Sequence, residues 1–192
     1  MRGDTLVIFA RAPRLGAVKR RLARGIGDRA ALRFYVGQLT AVLRATARDR
    51  RWRTVIAATP DHAPARWPVP VPRVRQGRGD LGQRMARAMR PYRRCVLVGS
   101  DIPGIAASDI AAGFRALGRA DAVFGPARDG GYWLVGLGPR RPATPFVAVR
   151  WSTRHALADT IANCKGRRVA TLRTLRDVDT AADLAALTKA RR

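Results

Sequence analysis

Two groups of residues carry opposite charges that a single chemistry would use together. Lys19 and Arg21 follow Gly16 in a loop that leaves a first apolar run, Thr5-Leu6-Val7-Ile8-Phe9-Ala10. Asp101 ends a second apolar run, Cys95-Val96-Leu97-Val98-Gly99-Ser100, and the chain is stopped at once by Pro103-Gly104. Basic side chains and backbone N–H groups at a helix start favour anions, above all phosphates. A carboxylate at the carboxyl end of a buried strand stands where ligands bind in open α/β sheets. Bare aspartate would repel phosphates, so the pair implies a divalent cation between them, Mg²⁺ (or Mn²⁺), bound by one or two carboxylates and by phosphate oxygens.

Each feature also has a plainer reading. The loop at Gly16 is neither GxGxxG nor GxxxxGK[ST], and it also reads as an ordinary turn decorated with basic residues. Asp101 could cap a turn at Ser100-Asp101-Ile102-Pro103. Asp129-Gly130-Gly131-Tyr132 is a tight turn whose glycines permit positive φ or close ligand approach, and equally a hairpin turn. Asp177 and Asp179 could supply a second metal carboxylate, because alternate residues of an extended strand share a side. Asp179-Thr180 followed by Asp183 is also a helix-capping pattern. His62 and His155 have no ligand or nucleophile companions in sequence, and no serine nucleophile elbow is present.

The elements that must position these residues follow from periodicity. Strands are expected at 5–10, 54–59, 95–99, 121–126, 131–137 and 169–172, with a short one near 73–76. Amphipathic helices are expected between them. Asp28 is expected to cap the helix that carries Leu32, Tyr35, Val36, Leu39, Val42 and Leu43 on one face. Further helices are expected from Ser108, from Trp151-Ser152-Thr153 and after Asp177-Val178-Asp179-Thr180. The proline-rich stretch 60–72 reads as a surface loop. Strand–helix alternation predicts a mostly parallel sheet with helices on both faces. The adjacent runs at 121–127 and 131–138 break the alternation and predict an antiparallel insertion near one edge. No linker or repeat divides the chain, so one domain over 1–192 is expected.

Composition limits the function classes. The net charge is +25, yet all but three of the 38 basic residues are arginine, the lysines being Lys19, Lys165 and Lys189. Alanine, glycine and proline are also plentiful and Asn163 is the sole asparagine, as codon bias towards GC would produce. The arginines are scattered and lack the aromatic interleaving of a single-strand platform, so the charge does not by itself argue for nucleic acid. No apolar run reaches the ~18 residues of a membrane span, and no export signal precedes the first strand, so a cytoplasmic protein is expected. Cys95 and Cys164 lack CxxC or histidine neighbours and are expected to be reduced and structural.

Six motifs occur in order: Phe9-Ala10-Arg11-Ala12-Pro13 with Gly16, Lys19 and Arg21; Gly79-Asp80-Leu81-Gly82-Gln83-Arg84-Met85; Gly99-Ser100-Asp101-Ile102-Pro103; Asp129-Gly130-Gly131-Tyr132; Trp151-Ser152-Thr153; and Asp177-Val178-Asp179-Thr180. Together they resemble the bacterial family of radical-SAM/selenodomain-associated transferases, over about residues 5 to 187. That family belongs to the nucleotide-diphospho-sugar transferase superfamily with the glycosyltransferase A fold, alongside molybdenum-cofactor and phospholactate guanylyltransferases. The resemblance implies a three-layer α/β/α sandwich with a Rossmann-like, mostly parallel sheet and a small antiparallel element. It implies that Ala10, Arg11, Ala12, Gly16, Lys19 and Arg21 surround a donor's phosphates and that Asp101 and Asp179 hold the metal. Asp80 and Arg84 would lie near the nucleoside or acceptor. Two departures stand out: Arg20 replaces the family's usual threonine, and Gly104 stands where an acidic residue is common.

The expected activity is a Mg²⁺-dependent transfer from an NTP or a nucleotide-sugar to a small-molecule acceptor. Lys19, Arg21 and Asp101 would act at the reacting phosphates, and Asp129, Gly130, Gly131, Tyr132 and Trp151 would border the acceptor. Nucleotidyl transfer is favoured over glycosyl transfer, because two separated metal carboxylates suit it and Ser100-Asp101-Ile102 lacks an Asp-x-Asp pattern. The alternative from another class is a basic nucleic-acid-binding module without catalysis. Base, acceptor and oligomeric state stay open.

Overall fold

A computed structural model describes residues 3–100 and 102–189. Asp101, the carboxylate expected at the end of the central strand, lies outside the described residues. The elements alternate: β1 (Thr5–Arg11), α1 (Arg20–Ile26), α2 (Asp28–Thr46), β2 (Arg53–Thr59), β3 (Arg73–Arg75), α3 (Leu81–Met89), β4 (Cys95–Gly99), α4 (Ala107–Ala116), β5 (Ala122–Pro126), β6 (Tyr132–Leu137), α5 (Ala156–Ala162), β7 (Val169–Thr171) and α6 (Ala181–Lys189).

The strands form one seven-stranded sheet in the order β3-β2-β1-β4-β6-β5-β7. All pairings are parallel except those of β6, which runs against both β4 and β5. The antiparallel strand is therefore interior, not near an edge as the sequence predicts; β7 takes the edge beside β5. The reason lies in β6 itself. Trp133, Leu134, Val135 and Leu137 are all buried, so neither face of this strand can meet water, and only a central place satisfies both.

Alternation along the strands sorts the core into two layers. Leu6, Ile8, Val96, Val98 and Val123 pack under Tyr35, Leu39 and Leu43 of α2 and Ile110 and Phe114 of α4. Val7, Val55, Leu97, Phe124 and Val135 pack on the other face, against Met85 and Met89 of α3 and partly buried Leu157 and Ile161 of α5. The result is the expected three-layer α/β/α architecture. Both cysteines are free and buried, and burial pushes their thiols up.

Three helix starts differ from expectation. Asp28 is the first residue of α2 rather than its cap; Gly27 precedes it and no side chain caps that helix. α4 starts one residue early, at Ala107, where Asp109 accepts a hydrogen bond from the Ala106 N–H. Trp151-Ser152-Thr153 does not open a helix. Ser152 takes a left-handed φ of 60°, which turns the chain, and α5 begins only at Ala156.

One contact between helices joins the two ends of the chain. A Cβ on Gly25 of α1 would meet the Cβ of Ala181, the first residue of α6, at 2.7 Å. The bare glycine lets the two helices touch, and this brings the chain just before α6 to the start of α1. Gly25→Leu should force them apart and lower stability by about 1–3 kcal/mol. Urea unfolding measures this; an unchanged midpoint would show that α6 does not depend on the contact.

Candidate functional site

A cleft of about 890 Å³ opens at the carboxyl ends of β1 and β4. Phe9 of β1, Leu97 and Gly99 of β4, and Leu81 and Met85 of α3 form its inner surface. The open parallel strands point here because β1 and β4 both end and turn away, leaving a crevice between their connections.

Lys19 and Arg21 reach this cleft from the first loop. Lys19 is the residue before α1 and takes a left-handed φ of 46°, uncommon for a residue with a Cβ and costing about 1 kcal/mol. Its side chain is 5% exposed, and Nζ donates to Oδ1 of Asp179 at 2.9 Å. The Arg21 guanidinium donates to the other oxygen of the same carboxylate. Residues 158 and 160 positions apart thus meet at one group.

Asp179 is available because its neighbours take over the capping that the sequence pattern could have assigned to it. The Asp183 carboxylate accepts from the Thr180 N–H at 2.9 Å and from its hydroxyl at 2.7 Å, while the Thr180 hydroxyl accepts from the Asp183 N–H at 3.2 Å. These bonds, with Arg176, lower Asp183 to about 2. The chain from Arg176 to Asp179 is not a strand, yet the expected alternation survives. Val178 is buried, and Asp177 and Asp179 both line the cleft. Burial pushes the Asp177 carboxyl up, and the Asp129 and Asp179 carboxylates push it further, against Lys19.

The first loop is shaped by bonds that engage most of the backbone expected to meet phosphates. The Arg11 N–H donates to the Tyr35 hydroxyl at 2.9 Å, and that hydroxyl donates to the Arg11 carbonyl at 2.7 Å. Ser100 Oγ lies 3.0 Å from the same hydroxyl, so Tyr35 ties the end of β1 to the residue before Asp101. The buried Ala12 donates its N–H to Thr59, and the Ala10 carbonyl accepts from Gln76. Gly16 holds a φ of 70° at the tip. Ala10, Arg11 and Ala12 therefore build the loop, and Lys19 and Arg21 present its charge to the cleft.

Asp80 and Arg84 stand behind the wall. Asp80 caps α3, exchanging bonds with Gln83 at 2.7 and 3.1 Å. Arg84 donates to Gln76 at 3.1 Å and lies over the Phe9 ring at 5.9 Å. Gln76 is fully buried and also donates to Ala57 at 2.8 Å, which makes it the anchor of Arg84. Gly82 of the same motif leaves room for Phe146 and for the Trp151 indole, which a Cβ would meet at 2.9 Å.

The expected acceptor residues form a wall beside the 175–179 segment, where the Arg128 N–H donates to the Leu175 carbonyl at 3.2 Å. Asp129, Gly131, Tyr132 and Trp151 line the cleft, with Gly130 at a φ of 86° behind them. Asp129 accepts from the Gly131 N–H at 2.8 Å. Tyr132 contributes its ring. Its hydroxyl is buried beside Thr160 and Cys164, and burial pushes it up, so it offers the cleft no acid or base. Arg128, Arg154 and Arg176 also line the cleft and were not singled out from sequence, because scattered arginines look alike without a fold.

The carboxylate oxygens at Asp177 and Asp179 suit a hard dication, and a raised carboxyl near two others is the charge pattern such an ion relieves. Among the described residues no three acidic, histidine or cysteine side chains converge as a complete ligand set. A metal here would rely on Asp179, on Asp101 outside the described residues, and on oxygens of a bound donor.

Residues 42–153, more than half of the chain, match a family described as uncharacterized protein conserved in bacteria (DUF2064). The chain belongs to this family. No curated protein matches it. Among solved structures, a candidate nucleotide-diphospho-sugar transferase from Desulfovibrio desulfuricans G20 is similar over 100% of this DUF2064 chain and 89% of its own, at 29% identity and a TM-score of 0.92. The 4-diphosphocytidyl-2C-methyl-D-erythritol synthase of Anaerococcus prevotii DSM 20548 covers 100% and 99%, at 12% identity and a TM-score of 0.61. Rv0371c of Mycobacterium tuberculosis H37Rv, in complex with manganese, covers 97% and 98%, at 18% identity and a TM-score of 0.53. The DUF2064 chain thus has the fold of nucleotide-diphospho-sugar transferases and nucleotidyltransferases. No helix among its described residues is long and apolar enough to cross a membrane.

Asp183→Ala should cost about 1 kcal/mol at pH 7 through loss of the cap. Because the folded carboxyl is lowered to about 2, its ionic contribution is present above the unfolded value of about 4 and is lost as pH falls to about 2. Unfolding of both proteins across pH should show the gap narrowing over that window. A gap unchanged at pH 2 would contradict the ionic cap.

Proposed function

We propose that this protein is a divalent-cation-dependent transferase acting through one domain over 1–192, with an NTP or a nucleotide-sugar as donor and a small molecule as acceptor. Nucleotidyl transfer is favoured. The observation that carries the reading is the convergence of Lys19 and Arg21 on Asp179 at the carboxyl end of the parallel strands. Two cations held ready beside an acidic group match a substrate that brings both phosphates and a metal ion. The likeness to transferases in fold supports the same reading.

In this reading Lys19 and Arg21 bind the donor's pyrophosphate oxygens and stabilise the negative charge that grows on them as the bond to the transferred group breaks. Mg²⁺ (or Mn²⁺), which Asp179 and Asp101 would hold, would supply further neutralisation of the phosphates. An acceptor oxygen forms its bond to the α-phosphorus, the α–β bridging bond breaks, and pyrophosphate leaves. Phe9, Leu81 and Met85 exclude water from the inner surface, and Asp129 with Trp151 positions the acceptor. Two carboxylates from separate segments, Asp101 and Asp179, favour this over glycosyl transfer, in which the sugar carbon would be attacked instead.

A thermal-shift screen of nucleoside triphosphates and nucleotide-sugars, with and without Mg²⁺, tests the reading. A true donor at about a hundred times its Kd adds about 2.7 kcal/mol of apparent stability, and the shift should require Mg²⁺. Lys19→Ala and Asp179→Asn should abolish it in proteins that remain folded. A response to a triphosphate supports nucleotidyl transfer; one restricted to a nucleotide-sugar replaces it with glycosyl transfer. No response to any nucleotide, with salt-sensitive binding of DNA or RNA, would overturn the reading in favour of a basic binding module.

A further inference from the structure

We propose that the acceptor is an uncharged alcohol on a flat apolar body, seated against the Trp151 indole with its hydroxyl donating to the Asp129 carboxylate. The proposal rests on the transferase reading for the word acceptor, whereas the subsite itself rests on the shape and charge of one wall of the cleft.

The cleft offers an apolar surface to the body of a ligand. Phe9, Leu81, Met85, Leu97, Tyr132 and Trp151 line it. Trp151 meets Tyr132 edge to face, with ring centroids 6.4 Å apart and planes at 70°, and the Phe146 ring lies 6.4 Å from the same indole. Gly82 of α3 seats the indole, since a Cβ there would come within 2.9 Å of Cζ2. Three contacts thus fix the Trp151 ring while it still lines the cleft, and a fixed indole favours offset or edge contact with another flat apolar group. The Tyr132 hydroxyl is buried beside Thr160, so that residue too gives the cleft only its ring. At about 890 Å³ the cleft is near the top of the range of about 300–1,000 Å³ for ligand pockets, with room for a donor and a second small molecule.

One carboxylate on this wall is held in a fixed orientation. Asp129 Oδ1 accepts from the Gly131 N–H at 2.8 Å, and Oδ2 can take a hydroxyl. The turn that carries Asp129 is itself anchored twice. The Leu157 N–H donates to the Gly130 carbonyl at 3.0 Å, and a Cβ at Gly130 would meet the Arg154 carbonyl oxygen at 2.2 Å, so the turn packs main chain to main chain on the segment that carries Trp151. On its other side Ala127 and Leu175 form a parallel bridge, in which the Leu175 N–H donates to the Pro126 carbonyl at 3.0 Å. Asp129 and Asp177 each lie two residues beyond that bridge and both line the cleft, so the two carboxylates share one corner.

Charge and polarity then select the acceptor. A phosphomonoester, with a charge of about −1.5 to −2 at neutral pH, would meet Asp129 and Asp177 here and the donor's phosphates beyond them. A hydroxyl on a neutral body meets no such repulsion and gives Asp129 a charge-assisted hydrogen bond. Arg128 and Arg154 reach the cleft on long, exposed side chains whose charge water and salt screen, whereas the main chain fixes the Asp129 carboxylate in place. A polyol would give up its bonds to water against the apolar surface without regaining them.

NMR titration of benzyl alcohol, benzyl phosphate and glucose into the isotope-labelled protein, with Mg²⁺ and without nucleotide, tests this at the Trp151 indole N–H and the Gly131 backbone N–H. The wild type should bind benzyl alcohol saturably, about tenfold or more tightly than either other probe. Asp129→Asn keeps the side chain's shape and its bond from Gly131 but removes the charge; it should bring benzyl phosphate within about twofold of benzyl alcohol at an unchanged melting temperature. Trp151→Ala should weaken benzyl alcohol about tenfold, read at Gly131, and Trp151→Phe should restore most of the loss. Benzyl phosphate or glucose bound more tightly than benzyl alcohol overturns the proposal. So does a preference unchanged in Asp129→Asn, or no saturable response to benzyl alcohol. The expected pattern in a protein that answers to no nucleotide in the thermal screen keeps the subsite and sinks the transferase reading; a nucleotide response without the pattern does the reverse.

Discussion

The Asp179 carboxylate is the group on which the site depends. Lys19 is nearly buried, and a buried ammonium without a partner is expensive. Asp179 satisfies it and at the same time orders the more exposed Arg21. An interaction between two fully exposed charges would contribute little; here the lysine's burial makes the partner necessary. Everything that holds Asp179 in place is therefore part of the site: the bare surface of Gly25 that admits Ala181, and the Thr180–Asp183 pair that starts α6. The last helix completes a centre begun by the first loop.

The same logic places the cleft's two flanks. Where side chains are absent, at Gly82 and Gly130, neighbouring segments come close enough to fix Trp151 and Arg154 without hydrogen bonds from those side chains. The inner wall is apolar and the rims are charged, with Lys19, Arg21 and Arg176 paired to acids near α1 and α6, and the Asp129 carboxylate near the β5–β6 turn close enough to Asp177 to push it up. This asymmetry gives one cleft two electrostatic characters.

Much of this was legible in the sequence. The runs at 5–10 and 95–99 read as buried strands because unbroken apolar residues fit no other place in a half-buried sheet, and strand–helix alternation implied parallel pairing. Lys19 and Arg21 stood out by type and by position after a strand-like run, whereas Asp179 was one of two candidates with Asp177 and was set apart only by the family resemblance. Other features depend on contacts that periodicity does not encode. Tyr35 reads as one more apolar position of α2, though its hydroxyl joins Arg11 to Ser100. Gln76 reads as a strand end, though it is fully buried and holds Arg84. Tyr132 reads as a residue bordering the acceptor, and its ring does line the cleft, but periodicity does not show that its hydroxyl is buried beside Thr160. The interior place of β6 required knowing that both its faces are covered, and the left-handed turn at Ser152 overrode a helix-start pattern.

The central claim is that Asp179 exchanges its internal cations for a metal ion when a donor's phosphates arrive to take Lys19 and Arg21. Anomalous scattering from manganese in crystals grown with and without a nucleotide tests it most directly. The account predicts manganese bound to the Asp179 carboxylate in the presence of nucleotide, with Lys19 and Arg21 turned onto phosphate oxygens. Manganese bound elsewhere, with Asp179 still paired to Lys19 beside a bound nucleotide, would contradict it.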